Sequence, residues 1–280
     1  MQHVTGMGIY LRRLKPRGTA AKLAATAARH GVTHVQILGA WQEPDKQGRV
    51  RTSAPNRKVI REYTAAFADV GIACGLWFYP WAGHEARLID ALHEQSQAGL
   101  ITSLLNDAEL GYKWRLKGAT RAREAVKGHD PSLSREAVLA GARELVRGID
   151  RLTADMPYGH GFTSYGIPSF HPNFPWDIFA PVDFVSPQLY RSPQSYIVRG
   201  VNEWRWLSAR AEDTDAAMLP SIGAFGPKSK SAMNGHVRNF FDSRVPTIDG
   251  FLVWSWMQVD REEWSTIEQW GKWIRDRACS

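Results

Sequence analysis

The chain has 280 residues, 44% of them hydrophobic and 22% charged, with a formal net charge of +7. That balance is globular and excludes a disordered or fibrous chain. Its two cysteines, Cys74 in an apolar run and Cys279 beside the C-terminus, exclude a disulfide framework, and no apolar run is long enough to span a membrane.

The segment Met1-Gln2-His3-Val4-Thr5-Gly6 has no basic region followed by a long apolar stretch. No signal peptide is therefore expected, and synthesis in a reducing cytoplasm is. A strand is predicted over 6–11. An Ala-rich helix follows over 18–30, with Gly31 as its C-cap, and then a strand over 32–41. Strand, helix, Gly, strand is the grammar of a βαβ unit. The alternation continues with helices over 56–70, 83–98, 134–155, 194–211, 231–243 and 261–276. Strands fall over 72–80, 100–108, 160–166, 182–190, 216–225 and 248–257. Eight strands in a chain of this size predict one closed (β/α)8 barrel spanning 1–280. The competing doubly wound sheet usually carries a Gly-rich phosphate turn after its first strand, and Leu11-Arg12-Arg13-Leu14-Lys15-Pro16 has none. The longest irregular insertion, 111–133, directly follows the fourth strand, where barrel loops build active sites, and is placed to cover a substrate.

Side-chain alternation selects the candidate site residues. In Leu104-Leu105-Asn106-Asp107-Ala108-Glu109, the side chains of Ser103, Leu105, Asp107 and Glu109 share one side. Two carboxyls side by side at an apolar barrel mouth raise one pKa, which is how a general acid stays protonated near neutral pH. Glu109, with its longer reach at the strand's end, is the candidate acid, and Asp107 its helper. A salt-bridge or N-cap pair is the structural alternative. In the sixth strand Ser186, Gln188 and Tyr190 alternate with Val185, Pro187 and Leu189. Tyr190 is placed to donate to a developing charge and Gln188 to bind substrate, unless these groups form a polar plug inside the barrel. Asp183, at the strand's start, reads as structural.

Twelve Trp residues raise the prior for a carbohydrate or nucleic-acid ligand, because their flat faces stack on sugar rings and bases, with a large Trp-rich core as the structural alternative. Trp41, Trp77, Tyr79, Trp81, Tyr165 and Trp254 fall at strand ends and are expected to bind substrate; Trp256 belongs to the same set. Glu43 is a third acid near that face. Trp204, Trp206, Trp264, Trp270 and Trp273 fall in helices and are expected to pack. His84 and His171 follow strands and read as structural or substrate-bonding. No metal spacing is present, so neither metal nor cofactor is expected.

The triplet Asp107-Ala108-Glu109 resembles the Asp-x-Glu of the family 25 muramidases, in which the Glu is the catalytic acid, and it also resembles the end of the acidic motif of the family 18 chitinases. Gln188-Leu189-Tyr190 is similar to the Met-x-Tyr segment of the chitinases. Gly250-Phe251-Leu252-Val253-Trp254-Ser255-Trp256-Met257-Gln258-Val259-Asp260 looks like their eighth strand, whose Trp floors the sugar site. Thr102 and Leu105 replace the chitinase motif's first two acids, and the first strand lacks the Asp that muramidases carry there. The resemblance implies a glycoside hydrolase. If the substrate's N-acetyl group acts as nucleophile, Asp107 and Tyr190 would orient it.

The function expected is hydrolysis of an N-acetylhexosamine polymer, with peptidoglycan favoured by the basic charge and the lack of an export signal, as in a phage-type endolysin that meets the cell wall after release. A chitinase-like hydrolase is the alternative, and a non-catalytic carbohydrate-binding barrel a further one. A nucleic-acid ligand is motivated only by the charge. The expected partner is a polysaccharide, with the protein acting as a monomer.

Overall fold

The computed structural model describes residues 4–12, 14, 19–114, 133–190, 193–209, 216–223, 235–255 and 261–278. Its strands are β1 (Gly6–Leu11), β2 (His34–Pro44), β3 (Val50–Ser53), β4 (Ala73–Tyr79), β5 (Ser103–Asp107), β6 (His160–Tyr165), β7 (Phe184–Gln188), β8 (Ala217–Met218), β9 (Ser221–Gly223) and β10 (Gly250–Trp254). Around the barrel, β1 pairs in parallel with β2, β2 with β4, and so on through β7. β8 and β9 share the seventh position, and β10 closes the ring on β1. This is the predicted eight-position (β/α)8 barrel. The helices between strands are α1 (Ala20–Arg29), α2 (Arg57–Ala68), α3 (Glu85–Ser96), α4 (Arg135–Thr153), α5 (Trp176–Phe179) and α6 (Gln194–Ala209), and α7 (Arg261–Ala278) follows β10.

Local chemistry explains where these elements begin and end. Thr19, Asn56 and Ser134 accept from backbone N–H groups in the first turns of α1, α2 and α4, satisfying donors that have no helical partner. Gly31 follows α1 with φ 73°, the left-handed geometry expected of that glycine. In α4, Val138, Ala142, Leu145 and Ile149 recur at helical spacing and are all fully buried. Burial of each larger side chain of this kind contributes about 1.5–3 kcal/mol.

Strand alternation sorts two cores. Ile9, Ile37, Leu76, Leu104, Phe162 and Val185 point outward into the layer under the helices. Tyr10, Leu38, Trp77, Leu105, Phe184 and Leu252 fill the lumen. Gly161 makes room there, since a Cβ on it would lie 2.1 Å from the Phe184 ring. Above this apolar filling lies a layer of hydroxyls. Tyr10 Oη is 3.1 Å from Ser221 Oγ, which is 2.7 Å from Ser186 Oγ. Ser186 donates to Leu219 O, and Thr163 donates to Ser186 O.

Several expectations are corrected. The strand predicted over 216–225 is two short pieces, because Pro220 between them has no N–H for the ladder. β2 runs on to Pro44 and turns back through Asp45 and Gly48 into β3, an antiparallel hairpin not predicted because β3 is short and largely exposed. Of the helix predicted over 231–243, the described part is one turn at 235–238 and a 3-10 turn, Asn239–Phe241. Trp206 is 56% exposed rather than packed, whereas Trp204 and Trp270 are buried as expected. Residues 115–132 of the predicted insertion, Trp256 and Cys279 lie outside the described residues. Among the described residues no helix is long and apolar enough to cross a membrane, and no cluster of acids, His and Cys could hold a metal.

Candidate active site

β5 ends at Asp107, one position earlier than predicted, and the chain leaves the sheet through Ala108 and Glu109 into a single 3-10 turn, Leu110–Tyr112. Glu109 therefore stands just beyond the strand instead of closing it. The turn is pinned from below: Tyr112 Oη donates to Glu85 Oε1 at 2.9 Å, and the same oxygen accepts from Gly83 N. Ser164 Oγ holds Ala108 O at 2.6 Å. These bonds fix the direction in which Asp107 and Glu109 enter the barrel mouth.

One side-chain nitrogen joins the two acids. Gln188 Nε2, at the end of β7, donates to Asp107 Oδ1 at 2.9 Å and to Glu109 Oε1 at 2.7 Å. The two carboxyl groups also meet each other in a side-chain hydrogen bond. Burial pushes both carboxyls above their ordinary range. Asp107, only 7% exposed, is raised furthest, by burial first and then by the charge of Glu109. At Glu109 the bonds from Gln188 and Asp107 and the charge of Lys113 work against the burial. Burial thus raises the proton affinity of both acids, and the two titrate as a coupled pair.

The carboxyls open into a cleft of about 570 Å³ whose walls include Trp41, Trp77, Tyr79, Trp81 and Trp254, with Arg12 and Glu43 on its lining. Such a volume suits a small-molecule or oligomeric ligand site. Tyr10, Trp77 and Trp254 meet edge to face, with centroids 5.0–5.8 Å apart. The Trp254–Ser255 peptide bond beside them is cis. Gln42 ties the hairpin to this wall, donating to Thr52 Oγ1 and His84 O and accepting from Trp81 N. Tyr190 meets Trp254 with ring centroids 6.5 Å apart. Burial, reinforced by the charges of Tyr10, Asp107 and Glu109, raises its pKa, so the hydroxyl stays a proton-bearing donor. Tyr165 stacks on His171, with centroids 3.8 Å apart. Its hydroxyl and the Trp77 N–H are buried with no hydrogen-bond partner, which leaves two donors available at the site.

A larger hollow of about 680 Å³ lies on the flank, where Trp114, Arg135 and Trp206 approach Glu203. Glu203 is held low by bonds from Arg199 and Ser169, as an ordinary surface carboxylate, so the acid chemistry belongs to the barrel mouth.

Of the residues selected from the sequence, Trp41, Glu43, Trp77, Tyr79, Trp81, Asp107, Glu109 and Trp254 line this cleft, and Gln188 joins it through its bonds to both acids; Tyr165 and Tyr190 are not on its lining. His84 and Asp183 serve as structure. His84 O accepts from Gln42, and Asp183 Oδ2 takes the backbone N–H of His160 at 2.7 Å. The polar-plug alternative holds for Ser186, which belongs to the hydroxyl layer, and not for Gln188. Gln42 and Tyr10 were not selected. Tyr10 is a polar group at a lumen-side strand position, a signal of the same kind that selected Gln188, whereas Gln42 alternates with Trp41 and shows itself only through its bonds to Thr52, His84 and Trp81. Lys113 was missed because it sits in an irregular turn with no periodicity to place it.

No protein-family model matches the chain, and no curated protein matches it by sequence. Solved structures do match in fold. The spore cortex-lytic enzyme SleL of Bacillus megaterium QM B1551 aligns over 96% of this chain and 75% of its own, at 9% identity and a TM-score of 0.56. The GH18 chitinase ChiB of Flavobacterium johnsoniae covers 96% and 94%, at 11% identity and a TM-score of 0.57. The xylanase and α-amylase inhibitor protein XAIP-II of Scadoxus multiflorus covers 98% of each chain, at 12% identity and a TM-score of 0.54. At these identities the likeness is one of fold. Enzymes and an inhibitor share that fold, so function rests on the site.

Proposed function

We propose that the protein is a glycoside hydrolase acting on an N-acetylhexosamine polymer, with Glu109 as general acid. One observation carries the reading: two buried carboxyls share one amide donor at the floor of an aromatic cleft. Trp and Tyr faces suit the apolar C–H faces of sugar rings. An acid held above its ordinary range can protonate a glycosidic oxygen near neutral pH.

In the proposed sequence Glu109 gives its proton to the glycosidic oxygen as the C1–O bond breaks. The substrate's own acetamido oxygen closes on C1 to form a cyclic oxazolinium ion. Asp107 accepts the acetamido N–H and balances the positive charge, and the Tyr190 hydroxyl donates to the acetamido oxygen. Glu109, now a carboxylate, takes a proton from water as the water oxygen bonds to C1. The ring opens, and configuration at C1 is retained.

For the substrate, the structural likeness supports a chitinase-type glycan hydrolase more than a family 25 muramidase. Peptidoglycan stays within the proposal through the net charge of +7, which suits an anionic wall met after release, and through the likeness to a spore cortex-lytic enzyme. The test is Glu109→Gln. Turnover of chitooligosaccharides or purified peptidoglycan, read by mass spectrometry of the products, should fall at least a thousandfold while ligand affinity persists. A wild-type protein that binds these glycans and cleaves none of them is instead a glycan-binding barrel, the reading that the inhibitor's fold favours.

A further inference from the structure

Lys113 lies at the far end of the one-turn 3-10 segment that begins at Glu109. Tyr112 N donates to Glu109 O, and Lys113 N to Leu110 O, so the turn links the two residues rigidly. The Lys113 side chain folds inward, leaving the residue only 9% exposed. Its Nζ is 2.7 Å from His171 Nδ1 and 4.1 Å above the centre of the Tyr165 ring. Among the described residues no carboxylate lies within ion-pair distance of it. A cation buried this far is costly unless it is used or paired.

The surroundings show where its field is directed. His171 is kept neutral, with burial and then the Lys113 charge pushing its pKa down to about 4, so its Nδ1 accepts from the ammonium. Tyr165 presents a ring face. Arg135, on the neighbouring element, is turned over Trp114 instead. Burial lowers the pKa of Lys113 and the charge of Glu109 works against that, so the ionisable groups around it are neutral His171, neutral Tyr165 and Glu109. β6 and β7 run in register at Tyr165 and Gln188, which places the platform under the ammonium beside the amide that holds both acids.

We propose that Lys113 is a positioning residue for the carboxyl pair: anchored by His171 on the face of Tyr165, its ammonium sets the pH at which the pair gives up its proton. It stabilises the ionised form of Glu109 and so favours the second catalytic half-step, in which Glu109 acts as carboxylate. Only the kinetic part of this inference rests on the hydrolase reading.

The test is carbon-13 NMR of the side-chain carboxyls between pH 4 and 9, with the pair assigned through Asp107→Asn and Glu109→Gln. In Lys113→Met the pair's titration should move up by about one pH unit, a tenfold gain in proton affinity, and Lys113→Arg should restore it. Both limbs of the kcat/KM profile should move with it, while KM changes less than twofold. A purely structural role would lower activity at every pH and leave the titration in place. If Lys113→Met proves unstable, His171→Leu, which releases the ammonium, should shift the titration in the same direction. An unmoved or downward-moving titration, or an Arg variant that fails to restore it, overturns the proposal. If the titration moves but the wild type cleaves no glycan, the hydrolase reading fails and the role of Lys113 stands.

Discussion

Gln188→Leu keeps the side chain near its original size and removes the one nitrogen that reaches both acids. Two bonds are lost, at 2.9 and 2.7 Å, each to a group that is ionised for part of the cycle. Hydrogen bonds to charged groups contribute about 1.5–3 kcal/mol each, and two that share a donor add to less than their sum. A barrier increase of about 3–4 kcal/mol follows, or a loss of roughly two to three orders of magnitude in kcat. The direction on pH is also fixed. Gln188 lowers the proton affinity of both carboxyls, so without it the pair binds protons more tightly and the activity profile moves to higher pH. The assay is kcat and KM on a fluorogenic N-acetylchitooligosaccharide from pH 4 to 9, with thermal unfolding as the check on folding. Activity above a tenth of wild type with an unmoved profile, in a folded variant, would refute the argument that this amide organises the pair.

His34 is fully buried at the bottom of the lumen, and desolvation lowers its pKa from the ordinary 6.5 to about 4. Between those values the unfolded chain binds the proton and the folded chain does not, so stability falls as pH drops from 6.5 to 4, by on the order of 3 kcal/mol; urea unfolding should show this, with a flatter pH dependence in His34→Gln. Asp107→Asn should act with the opposite sign. The Asp107 pKa is raised, so the folded protein holds a proton that the unfolded chain releases, wild-type stability falls as pH rises out of the carboxylate range, and the variant should unfold at a higher temperature than wild type at pH 8 while losing turnover. Equal unfolding temperatures at that pH would argue against a buried, proton-holding Asp107.

The barrel was legible because period-two alternation and Gly-closed helices recur almost from end to end, and each strand end points to one face. The same alternation separated Asp107 from Asn106 and Gln188 from Pro187, and so placed the site's centre. Its second half escaped for a physical reason. Lys113 and His171, 58 residues apart, meet through irregular turns tied together by the bond from Asn173 Nδ2 to Trp114 O, and no local pattern encodes that pairing. Trp206 was misread because helical periodicity gives spacing and not which face meets the barrel; α6 turns Trp204 inward, which leaves Trp206 outward.

The hydroxyl layer beneath the site has a direction. The Ser186 proton goes to Leu219 O, so Ser221 must donate to Ser186, and Tyr10 in turn to Ser221. Each proton in the row is committed away from the carboxyls, and burial, followed by the charge of Asp107, holds the Tyr10 proton in place. The layer therefore acts as a proton-tight floor. Asp107 and Glu109 exchange protons with the solvent and the substrate through the cleft, and the row of hydroxyls below them works as insulation and not as a wire.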